Sequence, residues 1–232
     1  MERLTIYVLH VKDGYADRAR HIEQMMDRLG LRFEWVLDGD IADLTPEREA
    51  RWFAPGCPLR PAEKSCAMKH LLACERIVES GADGAVVLED DIVLRPNFEE
   101  TVLRSLRELP SEASIVNYED SRLRFVEHSR RRKGQLLYAG DRDRFTGCLY
   151  LNREGAKAVL RAASTGGIDR PIDHYHRHLL ETGQVKYWWC EPCVATQGSF
   201  NGLFGSSVAS ARGKAAVWRL KRAWRRLLYR FR

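Results

Sequence analysis

The stretch Ala85-Val86-Val87-Leu88-Glu89-Asp90-Asp91-Ile92 decides the fold that we expect for this chain. Its apolar first half, which contains two β-branched valines, predicts a strand buried in a sheet. Three consecutive acids follow at the point where this strand would leave the sheet. In open α/β sheets ligands bind beyond the carboxyl ends of the strands, so the acids occupy the place where a binding site is expected.

The three acids indicate a metal site. Adjacent carboxylates repel one another unless a cation lies among them, and hard oxygen ligands favour magnesium, manganese or calcium. The Glu89-x-Asp91 spacing, in a turn after a strand, lets two carboxylates approach one ion. We therefore predict that Glu89 and Asp91 are metal ligands. The alternative is a solvated acidic turn that caps the following segment.

The N-terminal part predicts a β-α-β unit. Residues 4–11 form a strand pattern, residues 15–29 carry apolar side chains at helical spacing, and residues 32–37 form a second strand pattern. Gly30 stands where a left-handed helix cap is expected. This order predicts parallel strands. No G-x-G-x-x-G sequence follows the first strand, which argues against a dinucleotide-binding fold.

The rest of the chain continues the alternation of helices and strands. We predict helices over 45–53, 62–80, 96–109, 153–163 and 171–181, and strands over 113–117, 145–151 and 184–189. The polar residues 118–145, with Arg130-Arg131-Arg132-Lys133 at their centre, and residues 197–202 are predicted loops. The pattern predicts an α/β protein with a parallel sheet that is flanked by helices.

The positive charge of the chain is concentrated at its C-terminal end. The net charge is +6 over 232 residues, but residues 212–232 contain nine Lys and Arg and no acid, which leaves −3 for residues 1–211. We therefore predict a folded domain over 1–211 and a basic tail over 212–232. A body of negative net charge argues against specific nucleic-acid binding, although a basic tail could bind nucleic acid without sequence preference.

The tail has the pattern of an amphipathic helix. Its apolar residues recur at steps of three and four, and Lys and Arg occupy the other face. The apolar residues are Val217, Leu220, Trp224, Leu227 or Leu228, and Phe231. Each basic residue near an anionic leaflet contributes about 1 kcal/mol to attachment, so we favour a helix that lies on an anionic membrane surface. The alternative is a helix docked on the domain.

Two absences favour a location inside the cell. No run approaches the ~18 apolar residues that a membrane span requires. The N-terminus passes directly into a strand pattern, without the features of a signal peptide. We therefore expect a cytoplasmic protein that is peripheral on the inner face of the cell membrane.

The six cysteines are expected to be reduced thiols. Only Cys190 and Cys193 have a spacing that suggests chemistry, because Trp189-Cys190-Glu191-Pro192-Cys193 is similar to a thioredoxin-type redox motif. That motif needs a helix that starts at its first cysteine, and Val194-Ala195-Thr196 is a poor helix start. We expect a structural role for the pair, and a thiol oxidoreductase is the weaker alternative.

Several segments, in order along the chain, together resemble glycosyltransferase family 25, the lipooligosaccharide glycosyltransferases. The segments are Arg18 and Arg20 with Leu29 to Glu34, Asp38-Gly39, Glu63 to His70, Val87 to Asp91, Gly147 to Ala156, Pro171 to Asp173, and Pro192 to Gln197. The resemblance covers residues 4 to about 202, and its most specific parts are the block that ends at His70 and the acidic motif. Ser65 and Lys69 depart from the glycine and serine of the family pattern.

The resemblance implies a GT-A-like, Rossmann-type α/β fold with a mixed, mostly parallel sheet flanked by helices. It also implies an inverting, metal-dependent transfer of a sugar from a UDP-sugar, with galactose favoured. The acceptor would be a lipooligosaccharide or another lipid-linked or surface glycan. Manganese is the favoured metal and magnesium the alternative. The residues assigned to the nucleotide-sugar donor are Arg18, Asp38, Glu63, His70, Glu89, Asp90 and Gln197. A non-catalytic module that binds a nucleotide sugar or tethers to a membrane is the alternative function.

The acids have separate expected roles in catalysis. Asp91 is assigned as the direct metal ligand, whereas Asp90 could instead point back and orient the loop. A one-step inversion needs a carboxylate that takes the proton of the acceptor hydroxyl, and Asp173 is the candidate base. The alternative for Asp173 is a helix N-cap. His174 and His178, four residues apart, could form the metal pair of a metallohydrolase, but the chain lacks His-Glu-x-x-His.

Overall fold

The computed structural model describes residues 4–204 and 215–229. The strands in these ranges are β1 (Ile6–Leu9), β2 (Glu34–Val36), β3 (Gly84–Glu89), β4 (Ile92–Leu94), β5 (Ser114–Asn117), β6 (Leu137–Ala139), β7 (Cys148–Asn152), β8 (Lys186–Cys190) and β9 (Ala195–Gln197). The helices are α1 (Ala16–Leu29), α2 (Pro46–Trp52), α3 (Pro61–Glu79), α4 (Phe98–Leu106), α5 (Arg153–Gly166), α6 (Ile172–Glu181), α7 (Gly198–Asn201) and α8 (Ala215–Leu228).

A seven-stranded sheet, in the order β2-β1-β3-β7-β5-β8-β6, forms the centre of the fold. β1 runs parallel to β2 and β3, and β5 runs parallel to β8. β7 lies between β3 and β5 and is antiparallel to both, and the edge strand β6 is antiparallel to β8. The prediction of a mixed, mostly parallel sheet flanked by helices is confirmed. The reversed central strand β7 is a feature that the simple alternation of elements did not predict.

The acidic stretch begins in a strand that is buried on both faces. Val87 packs with α3 and α5 in one core, whereas Val86 and Leu88 pack with α1 and α4 in the other. Side chains alternate between the two faces of a strand, so helices on both sides of the sheet require an apolar residue at each position from Ala85 to Leu88. β3 ends at Glu89, which places the three acids where the chain leaves the sheet.

Two segments that were predicted as loops contain regular structure. β6 lies within the polar segment 118–145, and residues 197–202 contain the end of β9 and the short helix α7. β9 pairs with β4 as a separate antiparallel ribbon, in which Ile92 lies opposite Gln197. This pairing joins residues about a hundred positions apart, so a local sequence pattern could not have indicated it. Its consequence is that α7 lies directly beside the acidic turn.

The C-terminal tail forms the predicted amphipathic helix, α8, and this helix packs on the domain. Trp218 is buried, and its indole Nε1 donates a hydrogen bond to the Ser121 carbonyl oxygen at 3.1 Å. Arg222 and Arg226 donate to the fully buried Asp120 carboxylate, with Nε of Arg222 at 2.9 Å and Nη2 of Arg226 at 3.0 Å. The docked arrangement, which the sequence analysis had placed second, is therefore the one observed.

The outer face of α8 is apolar and exposed. Its exposed apolar side chains are Val217, Leu220, Trp224 and Leu227. The predicted boundary between residues 211 and 212 lies outside the described residues. Among the described residues, no helix combines the length and the apolar character that a membrane crossing requires.

Candidate active site

A cleft of about 350 Å³ opens where the acidic turn leaves the sheet. Six residues singled out from the sequence line it: Arg18, Glu63, Glu89, Asp91, Asp173 and Gln197. Asp38, His70 and Asp90 are not among its lining residues. The cleft therefore brings together most of the predicted site, from five separate segments of the chain.

Asp91 carries a buried carboxylate that is only partly satisfied. The residue is 4% exposed, and its Oδ2 accepts a hydrogen bond from the backbone N–H of Ser199 in α7 at 3.2 Å. Its Oδ1 is buried without a hydrogen-bond partner in the described part of the chain. Burial, and then the neighbouring Glu89 charge, raise the pKa of Asp91 to about 6. A divalent cation would stabilise a buried carboxylate oxygen that lacks a hydrogen-bond partner and lies beside a second acid.

Glu89 reaches the same cleft from the end of β3. Its Oε1 accepts a hydrogen bond from Thr146 Oγ1 at 2.8 Å, and its Oε2 accepts one from Gln197 Nε2 at 3.4 Å. Gly147 permits this close approach, because a Cβ there would lie 2.5 Å from Gln197 Nε2. Glu89 and Asp91 together offer hard oxygen ligands, so the residues present fit manganese or magnesium.

Asp90 points back into the protein, the second of the two orientations considered from the sequence. Its Oδ1 accepts a hydrogen bond from Arg18 Nη1 at 2.7 Å, and its Oδ2 lies 2.7 Å from His10 Nδ1. These contacts tie the acidic turn to α1 and to the end of β1. Arg18 also lines the cleft. Asp90 therefore does not line the site itself, but it orients the Arg18 guanidinium, which does.

α3 supplies another wall of the cleft. Glu63, in its first turn, accepts hydrogen bonds from the backbone N–H and the guanidinium of Arg60, which lower the pKa of Glu63. His70 is buried, and its Nε2 lies 3.5 Å from Glu89 Oε1. His70 therefore contacts the site through Glu89. Cys66, one helical turn before His70, lines the cleft directly.

Asp38 and Lys69 lie together at the end of β2. Lys69 Nζ donates hydrogen bonds to the carbonyl oxygens of Leu37 and Asp38, at 2.8 and 3.1 Å. The Asp38 side chain is exposed and lies 3.1 Å from Lys12 Nζ. Lys69, which replaces the serine of the family pattern, thus holds this loop against α3. The structure does not bring the Asp38 carboxylate to the cleft.

Asp173 lies in the first turn of α6 and faces the cleft. Pro171 occupies the N-cap position of this helix, so Asp173 is not the N-cap that was considered as its alternative role. Asp173 Oδ2 accepts a hydrogen bond from Arg122 Nη2 at 2.7 Å. The guanidinium of Arg122 lies over the Phe145 ring at 4.1 Å. Arg122 and Phe145 therefore fix the direction of the Asp173 carboxylate.

Sequence reasoning did not assign roles to several residues of the cleft, namely Cys66, Arg122, Phe145, Thr146, Ser199 and Phe200. Cys66 lies within a motif block, so its position was a signal that went unused. Arg122 and Phe145 lie within and at the end of the segment predicted as a loop, where no periodicity marks them. Ser199 contributes a backbone N–H, which has no sequence signature.

The alternative chemistries gain no support from the structure. Cys190 and Cys193 are buried free thiols. Burial raises the pKa of Cys190 to about 12 and that of Cys193 well above its usual value, whereas a redox-active thiol has a lowered pKa. His174 lines the cleft, but His178 lies in a separate pocket, so the pair does not form a metal site among the described residues.

With this geometry in place, comparison with known proteins identifies the class. Residues 4–174 match the family model described as glycosyltransferase family 25 (LPS biosynthesis protein). The chain belongs to glycosyltransferase family 25, and it is a glycosyltransferase. The resemblance seen in the motifs is confirmed. No curated protein matches the chain in sequence at a significant level.

Solved structures with a similar fold are distant. A crystal structure of a glycosyltransferase involved in glycosylation of the major capsid of PBCV-1 has 10% identity and a TM-score of 0.47, covering 94% of this chain and 100% of that one. Apo mouse xyloside xylosyltransferase 1 has 14% identity and a TM-score of 0.41, covering 80% and 84%. At these values the likenesses carry no information on substrate, and the family assignment rests on the sequence match.

Replacing Asp91 by asparagine is expected to stabilise the metal-free protein at neutral pH. Burial raises the pKa of native Asp91 to about 6, whereas an unfolded aspartate has a pKa of about 3.9. Above pH 6 the ionised native carboxylate therefore costs about 2–3 kcal/mol of unfolding free energy. This cost shrinks as the pH falls from about 6 to about 4, because the native state takes up its proton before the unfolded state does.

Urea unfolding in the presence of EDTA measures this difference at about pH 7.5 and about pH 4.5. The matched control is Asp83→Asn, because Asp83 is fully exposed just before the same strand. Equal stability of the wild type and Asp91→Asn at the higher pH would contradict the assigned environment of Asp91.

Proposed function

We propose that this glycosyltransferase moves a sugar, galactose favoured, from a UDP-sugar to a lipooligosaccharide or another surface glycan, with inversion at the anomeric carbon. The observation that carries the proposal is the buried Oδ1 of Asp91, which has no hydrogen-bond partner within residues 4–204 and 215–229 and lies next to Glu89 in a cleft that Asp173 also lines. This arrangement places two potential metal ligands and a third carboxylate around one opening.

Glu89 and Asp91 are the residues that would hold the divalent metal, with manganese favoured and magnesium the alternative. When bound, such an ion neutralises the diphosphate leaving group as a Lewis acid. Thr146 and Gln197 orient Glu89 through its two oxygens, and the Ser199 backbone N–H orients Asp91. The protein thereby fixes both carboxylates before the donor arrives, which is the condition for electrostatic catalysis.

Donor binding is proposed for the remaining lining residues. Arg18, positioned by Asp90, offers positive charge to the diphosphate, and Glu63 and Gln197 offer polar groups to the sugar or the ribose. His70 acts through Glu89. Asp38 has the weakest support of the assigned donor residues, since its carboxylate lies exposed against Lys12.

Asp173 is the proposed base for the acceptor hydroxyl. It lines the same cleft as the metal ligands, and Arg122 fixes its orientation. A direct displacement inverts the anomeric carbon, because the acceptor oxygen attacks from the side opposite the leaving diphosphate while Asp173 takes its proton.

Incubation with a panel of nucleotide sugars, with and without manganese, tests the donor and the metal together. We expect UDP-galactose to raise the melting temperature and to be hydrolysed or transferred only when manganese is present. Asp91→Ala should reduce transfer by at least about 100-fold, the scale of losing one electrostatic contact to the transition state. Asp83→Ala is the matched control and should keep full activity.

Absence of any response to every nucleotide sugar would refute the proposed donor class. Nucleotide binding without turnover in the wild type would instead favour a non-catalytic binding module. Full activity in EDTA would refute the metal assignment.

Asp173→Asn is expected to lower kcat by about 10²- to 10⁴-fold, the usual contribution of a general base. The amide keeps the shape of the side chain but cannot accept the proton, so the manganese-dependent thermal shift with UDP should remain. Asp169→Asn is the control, because Asp169 is exposed just before α6 and pairs with Arg170. Unchanged kcat in Asp173→Asn, or a product that retains the donor's anomeric configuration, would rule out this role.

The acceptor and the location are proposed together. A lipid-linked acceptor would lie at the cytoplasmic face of the cell membrane, and the domain over 1–211 would be held there by the tail over 212–232. The support is that α8, although docked, leaves Val217, Leu220, Trp224 and Leu227 exposed beside basic residues. An apolar face with flanking positive charge suits an anionic lipid surface.

Co-sedimentation with phosphatidylglycerol vesicles should show binding that weakens with salt, and phosphatidylcholine vesicles should bind poorly. The double substitution Leu220→Ser with Trp224→Ser should weaken binding by at least about tenfold, because each buried side chain contributes about 1.5–3 kcal/mol. Ile41→Ser is the control, since Ile41 is an exposed apolar residue elsewhere on the domain. Unaltered vesicle binding of the double variant would exclude α8 as the attachment face.

A further inference from the structure

A sulfur, a nitrogen and a carboxylate oxygen converge on the α3 wall of the cleft. One ligand atom from each of Cys66, His70 and Glu89 lies within 4.8 Å of the other two. His70 Nε2 and Glu89 Oε1 are 3.5 Å apart. Two ligands bonded to one tetrahedral zinc ion at about 2.0–2.2 Å lie about 3.3–3.6 Å apart. The histidine and the glutamate thus already have the spacing of two zinc ligands.

The third ligand, Cys66, lies on the same helix as His70. Cys66 and His70 are four residues apart in α3, so their side chains lie on one face, one turn apart. His70 is 2% exposed, whereas Cys66 is half-buried and lines the cleft. α3 therefore buries the nitrogen ligand and leaves the sulfur open to an ion that enters from the cleft.

A neighbouring histidine provides a second observation. His176 of α6 is 1% exposed, and neither of its ring nitrogens has a hydrogen-bond partner in the described ranges. Its ring centroid lies 6.1 Å from that of His70, with the two rings perpendicular. Buried polar groups are normally satisfied, so a buried imidazole without a partner in the described ranges marks this side of the cluster as one where polar groups remain uncompensated.

The chemistry of this donor set differs from that of the proposed donor-metal pair. Carboxylates alone suit manganese and magnesium, whereas thiolate and imidazole select zinc and other thiophilic ions. We propose that Cys66, His70 and Glu89 form a second cation site, which takes zinc, and that zinc bound there inhibits sugar transfer by occupying the Glu89 carboxylate that the donor metal would use. Cys66 binds as the thiolate, and its proton passes to the solvent.

Zinc binding stands on the geometry of Cys66, His70 and Glu89 alone. Inhibition rests on the proposed function, because it requires that Glu89 also serve the donor metal. Metal binding is therefore measured without any sugar donor.

Cobalt(II) is the probe for binding, because a cobalt–thiolate bond gives an intense near-ultraviolet charge-transfer absorption. We expect this absorption in the wild type and its loss in Cys66→Ser, with cobalt binding about 10- to 100-fold weaker, the usual effect of damage to a metal site. Cys57→Ser is the matched control and should keep the absorption, since Cys57 is a half-buried cysteine that does not line the cleft. Asp91→Asn should keep the absorption while losing manganese binding.

Absence of the charge-transfer band in the wild type, or its survival in Cys66→Ser, would overturn the site. If Cys66→Ser does not fold, the wild type still decides the question through alkylation by iodoacetamide, mapped by mass spectrometry. Zinc should protect Cys66 but not Cys57, and equal protection of both would count against the site.

Transfer assays then test the inhibition separately. In the presence of manganese, zinc should inhibit the wild type at a concentration at least about tenfold lower than it inhibits Cys66→Ser. Equal zinc sensitivity of the two proteins would refute the inhibitory role. A thiolate–cobalt site in a protein that turns over no nucleotide sugar would refute the proposed function and leave the zinc site standing.

Discussion

The site depends on one constraint, which is that the carboxylate of Asp91 is buried away from water. β3 is buried on both faces, so its acids can emerge only where the strand ends. Arg18 and His10 hold Asp90 on the inner side of the turn, which leaves Glu89 and Asp91 facing the cleft. Two carboxylates so close together, one of them buried, are unfavourable without a compensating charge. The proposed cation at this point would offset that repulsion.

The segment at 119–121 joins this site to the C-terminal helix. Asp120 Oδ1 accepts a hydrogen bond from Thr196 Oγ1, and Ser121 Oγ accepts one from the Gln197 backbone N–H. The same two residues receive Arg222, Arg226 and Trp218 from α8. Gln197 in turn contacts Glu89. The docking of α8 on Ser121 is therefore linked to the acidic turn through Gln197, which contacts both Ser121 and Glu89.

Glu89 is a ligand in both of the proposed cation sites. On one side it lies with Asp91 and offers hard oxygen ligands, and on the other it lies with Cys66 and His70, which offer sulfur and nitrogen. Thr146 and Gln197 hold the Glu89 carboxylate in one orientation, and two cations that share one carboxylate repel each other. If both proposed sites bind their ions, the chemistry of the available cation, and not only its concentration, would decide which site is filled.

The sequence by itself determined the elements whose signal is local. The run before Glu89 specified a buried strand, Gly30 ended α1 in the left-handed conformation, and the spacing of Val217, Leu220 and Trp224 specified an amphipathic helix. Only the tertiary structure decided that β7 runs antiparallel between β3 and β5, that β4 pairs with β9, and that α8 docks on Asp120. The physical reason is that periodicity reports which face of an element is buried, whereas strand partners, buried ion pairs and a backbone N–H such as that of Ser199 depend on segments distant in sequence.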